Sequence, residues 1–80
     1  MRRRIVAGNW KLQGSRAFAA ALVDEIKRDA PATVELIVLP PFPFLGETAT
    51  QCAGSALAVG AQDVSEHAQG AYTGEVSAAM

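Results

Sequence analysis

The sequence predicts an α/β fold built from parallel strand–helix–strand units. Three short apolar runs of strand length alternate with stretches that can form helices; these runs are Arg4 to Asn9, Val34 to Leu39 and Leu57 to Gln62. Strands that alternate with helical patterns favour parallel βαβ units, so we expect the three runs to share one parallel sheet. A chain of 80 residues has room for one small domain at most.

The segment from Ser15 to Ala30 has the pattern of an amphipathic helix. Its apolar side chains recur four residues apart, at Phe18, Leu22 and Ile26. Ser15 is placed to cap the amino end, and Pro31 stops the helix at the other end.

A second, shorter helix is predicted from Phe44 to Ala53. Pro40 and Pro41 lack amide hydrogens and so end the preceding strand, and Gly54 ends the helix. A long polar loop follows the third run, and a loop of that length in a compact chain is usually functional. From Ser77 onward the sequence reads as the first turn of a third helix, so we expect the chain to be truncated there.

The end of the first strand carries polar side chains on one face only. Side chains alternate across a strand, so one face takes Ile5, Ala7, Asn9 and Lys11, while the other takes Val6, Gly8, Trp10 and Leu12. In the third strand Gln62 likewise ends a face of small residues, Ala58 and Gly60. Ligands of parallel α/β proteins collect at the carboxyl ends of the strands, so Asn9, Lys11 and Gln62 are expected to converge there.

The ammonium of Lys11 suggests that this site receives an anion. A lysine on the inner side of a strand end is costly to desolvate unless a negative group meets it. From spacing alone, the alternative that Lys11 simply extends into solvent stays open.

Composition excludes several other classes of protein. The net charge is -1 and the only basic run is Arg2 to Arg4, so we expect no nucleic-acid partner. No window approaches the ~20 apolar residues of a membrane span, and the first apolar run is too short for a signal peptide, so we expect a cytoplasmic protein without a membrane partner. Cys52 is the one cysteine, which excludes an internal disulfide, and we expect it to be a packed or semi-exposed thiol on a helix.

Four quoted stretches together carry a family resemblance. AGNWK followed by LQGS, then LPPFPFL, then VGAQDVSEHAQGAYTGEVS, strongly resembles the triosephosphate isomerase family over all 80 positions. The resemblance implies that residues 1–80 are the N-terminal part, about three βα units, of a TIM (β/α)8 barrel, a single domain truncated at the start of its third helix.

The resemblance also implies an activity and a site. The family interconverts D-glyceraldehyde 3-phosphate and dihydroxyacetone phosphate through an enediolate, in glycolysis and gluconeogenesis, with neither cofactor nor metal. Asn9 and Lys11 match its substrate-binding residues, and Lys11 is the catalytic residue that would stabilise developing negative charge. The base, the electrophile and the lid would lie beyond Met80, so we expect the isolated chain to be inactive.

The long third loop resembles the segment through which the family forms homodimers. By this resemblance Thr73 approaches the active site of a second subunit, and Glu75 helps to hold the loop and the interface. For Glu75, a solvated charge at the start of a third helix is an equal alternative. His67 does not match the catalytic histidine and is expected to be a surface residue. Three departures from the common family pattern, at Leu12, Gln13 and Asp63, leave Asn9 and Lys11 untouched.

Two other functions are compatible with such a chain. One is a small non-enzymatic binding or assembly module whose GAYTGE loop docks into a partner. The other is a different phosphate-binding α/β enzyme, which the lack of G-x-G-x-x-G and G-x-x-x-x-G-K-[ST] makes remote.

Overall fold

A parallel three-stranded sheet covered on one face by two helices forms the structure. The computed structural model describes residues 2–80. Along the chain the elements are β1 (Ile5–Asn9), α1 (Arg16–Asp29), β2 (Glu35–Leu39), α2 (Phe42–Cys52) and β3 (Ala58–Val59). The strands lie in the order β1-β2-β3, and both pairs are parallel. The predicted α/β fold with parallel βαβ units is therefore confirmed.

The register of the sheet fixes which side chains face the helices. Gly8 pairs with Val38 and Asn9 with Leu39, while Val38 pairs with Val59. Val38 is buried in the core beneath the helices, so its neighbours Gly8 and Val59 lie on the same, helix-covered face. Asn9 and Leu39 consequently lie on the opposite face, which we call the open face. The predicted alternation along β1 is confirmed as far as Trp10.

A small core lies between the sheet and the helices. Its buried members are Val23, Val38, Cys52 and Leu57, and the partly buried side chains packed on them are Trp10, Ile26, Leu36 and Val59. Cys52 is a packed thiol, as predicted. Burial raises the pKa of the Cys52 thiol, and the nearby Lys27 ammonium opposes that shift only in part.

The ends of α1 follow the predicted signals. Ser15 is extended (φ -145°, ψ 171°), and its hydroxyl accepts a hydrogen bond of 3.1 Å from the backbone N–H of Phe18. The helix ends at Asp29 because Ala30, which precedes Pro31, is held extended. Helix α2 begins at Phe42, two residues earlier than predicted, with Pro43 in its first turn. Proline is tolerated there because the first N–H groups of a helix have no intrahelical partner.

The third strand is shorter than predicted. β3 spans only Ala58–Val59 instead of Leu57 to Gln62, although the N–H of Gly60 continues the ladder to the carbonyl of Val38 at 2.9 Å. From Ser77 onward, where the sequence predicts the first turn of a third helix, the structure has one turn, in which the N–H of Met80 donates to the carbonyl of Ser77. A single hydrogen-bonded turn does not offset the cost of helix nucleation.

The chain exposes more surface than a compact protein of its mass. Its accessible surface is 6123 Å² at 8.4 kDa, against about 4,600 Å² expected for a compact monomer of that mass. The radius of gyration is 14.0 Å, against about 11.6 Å for a compact domain of this length. Much of the excess is apolar, since Ile5 and Val6 of the edge strand are 55% and 56% exposed.

The exposed sheet leads to a prediction for the isolated chain. An open parallel sheet leaves one apolar face and its edges in water, so the 80-residue chain should aggregate or behave as a loosely packed species. Calorimetry and binding of a hydrophobic dye are the measurements, with dye binding expected and no sharp thermal transition. Cooperative unfolding of a soluble monomer would contradict this prediction.

Candidate active site

The carboxyl end of β1 turns sharply after Asn9. The Oδ1 atom of Asn9 accepts a hydrogen bond of 2.8 Å from the backbone N–H of Lys11, which makes an Asx-type turn. Because Asn9 shares the open face with Leu39, this turn lies on the side of the sheet away from the helices. The side chain of Asn9 thus fixes the backbone that carries Lys11.

Lys11 lies in a left-handed backbone conformation. Its φ is 55°, and it is the one non-glycine residue in the described part of the chain with a positive φ. A side chain in this region costs roughly 1–2 kcal/mol, and such strain is concentrated at functional sites. Strand alternation therefore ends at Trp10 and does not assign a face to Lys11 or Leu12. Leu12, which the alternation placed on the same face as Trp10, is 95% exposed.

Gln62 joins the ends of all three strands. Its Nε2 atom donates hydrogen bonds to the carbonyl of Lys11 (3.0 Å) and to the carbonyl of Leu39 (2.8 Å). Both partners are acceptors, so the amide must present its nitrogen to them. The backbone N–H of Trp10 also donates to Leu39 O, at 3.2 Å. The predicted convergence of Asn9, Lys11 and Gln62 at one edge of the sheet is observed in this network.

Gly60 leaves room on the open face for this arrangement. A Cβ atom at Gly60 would lie 2.7 Å from Cδ2 of Leu39 and 3.9 Å from Cγ2 of Ile37. A side chain at Gly60 would require the side chain of Leu39 to move. Gly60 therefore permits close packing of the Leu39 side chain on the open face.

The indole of Trp10 anchors the same turn from the helix side. It packs on the core and meets the ring of Phe18 edge to face, with ring centroids 6.2 Å apart. The turn also approaches α2 closely, since a Cβ atom at Gly14 would lie 3.4 Å from the ring of Phe44. The consecutive residues Asn9 and Trp10 thus hold the strand end from opposite faces of the sheet.

The other predicted site residues lie in the loop after β3. Thr73 is exposed, and the carboxylate of Glu75 accepts a short hydrogen bond from the hydroxyl of Ser65. His67 stacks on the ring of Tyr72, a contact for which the sequence offers no periodic signal. Among the described residues 2–80, no hydrogen bond joins residues 65–76 of this loop to Asn9 or Lys11.

The groups at the strand ends are of the kind that can bind an anion. Lys11 carries an ammonium and Asn9 an amide, and Asn9 and Gln62 both bond to the backbone of Lys11. In the described part of the chain, no three His, Cys, Asp or Glu side chains are grouped so as to hold a metal ion. None of the helices described is long and apolar enough to cross a membrane.

These features define a class: a parallel α/β segment of barrel type with a polar site at the carboxyl ends of its strands. The family model for triosephosphate isomerase matches residues 4–80. The chain is 56% identical to the triosephosphate isomerase of Xanthomonas campestris pv. campestris strain 8004 and 57% identical to that of Xylella fastidiosa strain M23. It is 54% identical to the triosephosphate isomerase of Stenotrophomonas maltophilia strain R551-3.

The chain therefore belongs to the triosephosphate isomerase family. Each of these alignments covers 100% of the chain and 32% of the relative, so the chain spans about a third of the length of the relatives it matches. Its three strands and two helices are accordingly part of a TIM barrel rather than a closed one.

Gln62→Glu should destabilise the strand ends. The substitution keeps the shape of the side chain but turns a carboxylate oxygen toward the carbonyls of Lys11 and Leu39, so two hydrogen bonds become repulsive contacts. We expect a loss of about 1–3 kcal/mol in the free energy of unfolding. The measurement is denaturant unfolding of a chimera in which this chain replaces the matching segment of the Xanthomonas campestris relative.

Gln13→Glu in the same chimera is the control for added charge, because Gln13 is exposed beside the same turn. It should change the free energy of unfolding by less than about 0.5 kcal/mol. Equal effects of the two substitutions would contradict the role assigned to Gln62.

Proposed function

We propose that this chain supplies part of the active site of a triose-phosphate isomerase, which interconverts D-glyceraldehyde 3-phosphate and dihydroxyacetone phosphate in glycolysis and gluconeogenesis. The observation that carries the proposal is the placement of Asn9 and Lys11 at the carboxyl end of β1, joined by a hydrogen bond of 2.8 Å. Family membership supports the isomerase class.

Lys11 is proposed as the catalytic residue of this segment. Moving a proton between adjacent carbons of the triose passes through an enediolate, on which negative charge develops. A fixed ammonium near the substrate oxygens stabilises that charge more than it stabilises the neutral substrate, so it lowers the barrier. The Asx turn and Gln62 hold the backbone of Lys11 in place before the substrate arrives, so little reorganisation is needed.

Asn9 is proposed to bind and orient the substrate. Its Oδ1 atom accepts from the N–H of Lys11, so its Nδ2 donors are the atoms it can offer to a substrate oxygen. Together, Asn9 and Lys11 would recognise a small phosphorylated triose. The proposal includes no cofactor or metal, because this proton transfer needs only acid–base groups and positive charge.

The isolated chain is proposed to be inactive. A general base must come within hydrogen-bond reach of the proton that it removes. The carboxylates that follow β3 are Asp63, Glu66 and Glu75, and hydrogen bonds from the Val64 N–H and the Ser65 hydroxyl already engage Asp63 and Glu75. The one histidine, His67, is stacked on Tyr72 in the same loop. The base and the electrophile would therefore come from the part of the relatives that this chain does not span.

We further propose that the complete enzyme is a cytoplasmic homodimer in which the loop after β3 meets a second subunit. Thr73 lies exposed in this loop, where it can contact a partner, and Glu75 stabilises the loop through Ser65. The near-neutral charge gives no basis for a nucleic-acid or membrane partner.

Lys11→Ala in the chimera should abolish most of the isomerase activity. Removing the ammonium removes charge stabilisation of the enediolate, and we expect kcat to fall at least about 100-fold. The measurement is steady-state isomerisation in both directions, with circular dichroism to verify folding.

Lys27→Ala is the matched control, because Lys27 is the other lysine of the chain and donates to the carbonyl of Gln51, between the two helices. Its kcat should stay within about 2-fold of the unsubstituted chimera. Full activity of the Lys11→Ala chimera would refute the proposed role of Lys11, and an inactive unsubstituted chimera would refute the proposed function.

A further inference from the structure

The loop from Ser65 to Val76, which we call the docking loop, is closed by its own backbone. The N–H of Ser65 donates to the carbonyl of Val76 at 2.8 Å, so the two ends of the loop meet. The hydroxyl of Ser65 also makes two hydrogen bonds within the loop. It accepts one from the N–H of His67 at 3.0 Å and donates one to the carboxylate of Glu75. Loops whose ends meet and whose own side chains fill them are compact surface units.

The imidazole of His67 stacks on the ring of Tyr72 across this loop. The ring centroids are 3.7 Å apart and the planes differ by 2°. The carboxylate of Glu66 also lies 3.4 Å from Nε2 of His67, but its side chain is 86% exposed, and such ion pairs contribute little. The stack is therefore the main contact that ties His67 to the far side of the loop.

Gly70 makes space for the stacked pair. It has a φ of 133°, and a Cβ atom there would lie 2.9 Å from Cε2 of Tyr72. A side chain at this position would be strained and would displace the tyrosine ring that stacks on His67.

The stacked pair stands directly before the exposed corner of the loop. The N–H of Glu75 donates to the carbonyl of Tyr72 at 3.1 Å, and Gly74 has a φ of 92°, which is the pattern of a type II turn. Thr73 occupies the exposed corner of this turn. Tyr72 is therefore both a member of the stack and the first residue of the turn that carries Thr73.

We propose that His67 is a positioning residue: stacked on Tyr72, it keeps the docking loop preformed in the free subunit, so that Thr73 is presented to a second copy of this chain without further folding. A surface that is ordered before it binds avoids the entropic cost of ordering during binding. The preformed conformation of the docking loop depends only on contacts within the loop. Its contact with a second copy of the chain rests on the proposed homodimer.

The first test is amide hydrogen exchange in the chimera carrying Thr73→Arg. The arginine opposes burial of Thr73 against a second subunit, so exchange is measured in the free subunit. His67→Ala should speed exchange at the N–H groups of Ser65, His67 and Glu75 by roughly 3- to 10-fold, the range expected for loss of an aromatic pair. His67→Phe keeps a flat ring on Tyr72 and should stay within about 2-fold of the parent. Exchange at Gly60 in the sheet should be equal in all variants.

The second test is the dissociation constant of the dimer, measured without Thr73→Arg. His67→Ala should raise it roughly 3- to 10-fold and His67→Phe should leave it nearly unchanged. Unchanged loop exchange in the His67→Ala variant would overturn the inference, as would equal acceleration in the alanine and phenylalanine variants. A chimera that stays monomeric would refute the homodimer, while loop exchange would still decide the role of His67.

Discussion

The parallel register of the three strands is the constraint on which the site depends. It places Asn9 beside Leu39 and Val38 beside Val59, so the strand ends meet at one edge. The amide of Gln62 then bonds to the carbonyls of Lys11 and Leu39 together. A slip of one residue would turn Asn9 toward the helices and separate these groups, because strand side chains alternate with a period of two. The position of the Lys11 backbone is therefore a consequence of strand pairing.

Different parts of the chain are stabilised in different ways. The helix-covered face is packed around Val23 and Val38, whereas the open face and the edge strand leave Ile5 exposed. The side chain of Asn9 lies on that open face. Hydrogen bonds of Asn9 and Gln62, rather than burial in a packed core, therefore hold the strand ends. The docking loop is held by contacts of its own, through Ser65 and the stacked ring of His67. The chain therefore combines a rigid strand-end turn and an ordered loop with a sheet that a larger barrel would cover.

Local signals predicted the helix cap and the strand faces but not the backbone at the site. Ser15 and the alternation up to Trp10 depend on neighbours in sequence, so their pattern is visible in the chain alone. The left-handed backbone of Lys11 lies between the Asx turn of Asn9 and a hydrogen bond from Gln62, 51 residues away, and neither contact shows in the alternation of the strand. The stack of His67 on Tyr72 depends on how a glycine-containing loop closes, which no periodicity encodes. The predicted β3 is too long because its apolar run continues past Val59, the last residue that pairs with β2.

The most direct measurement is a crystal structure of the chimera with glycerol 3-phosphate, a stable analogue of the proposed substrate. We predict that Nζ of Lys11 lies within about 3.2 Å of an oxygen of the bound analogue. Nδ2 of Asn9 should donate to the same ligand on the open face, with the hydrogen bonds of Gln62 to Lys11 and Leu39 intact. An analogue bound away from the strand ends, with Lys11 extended into solvent, would contradict the account.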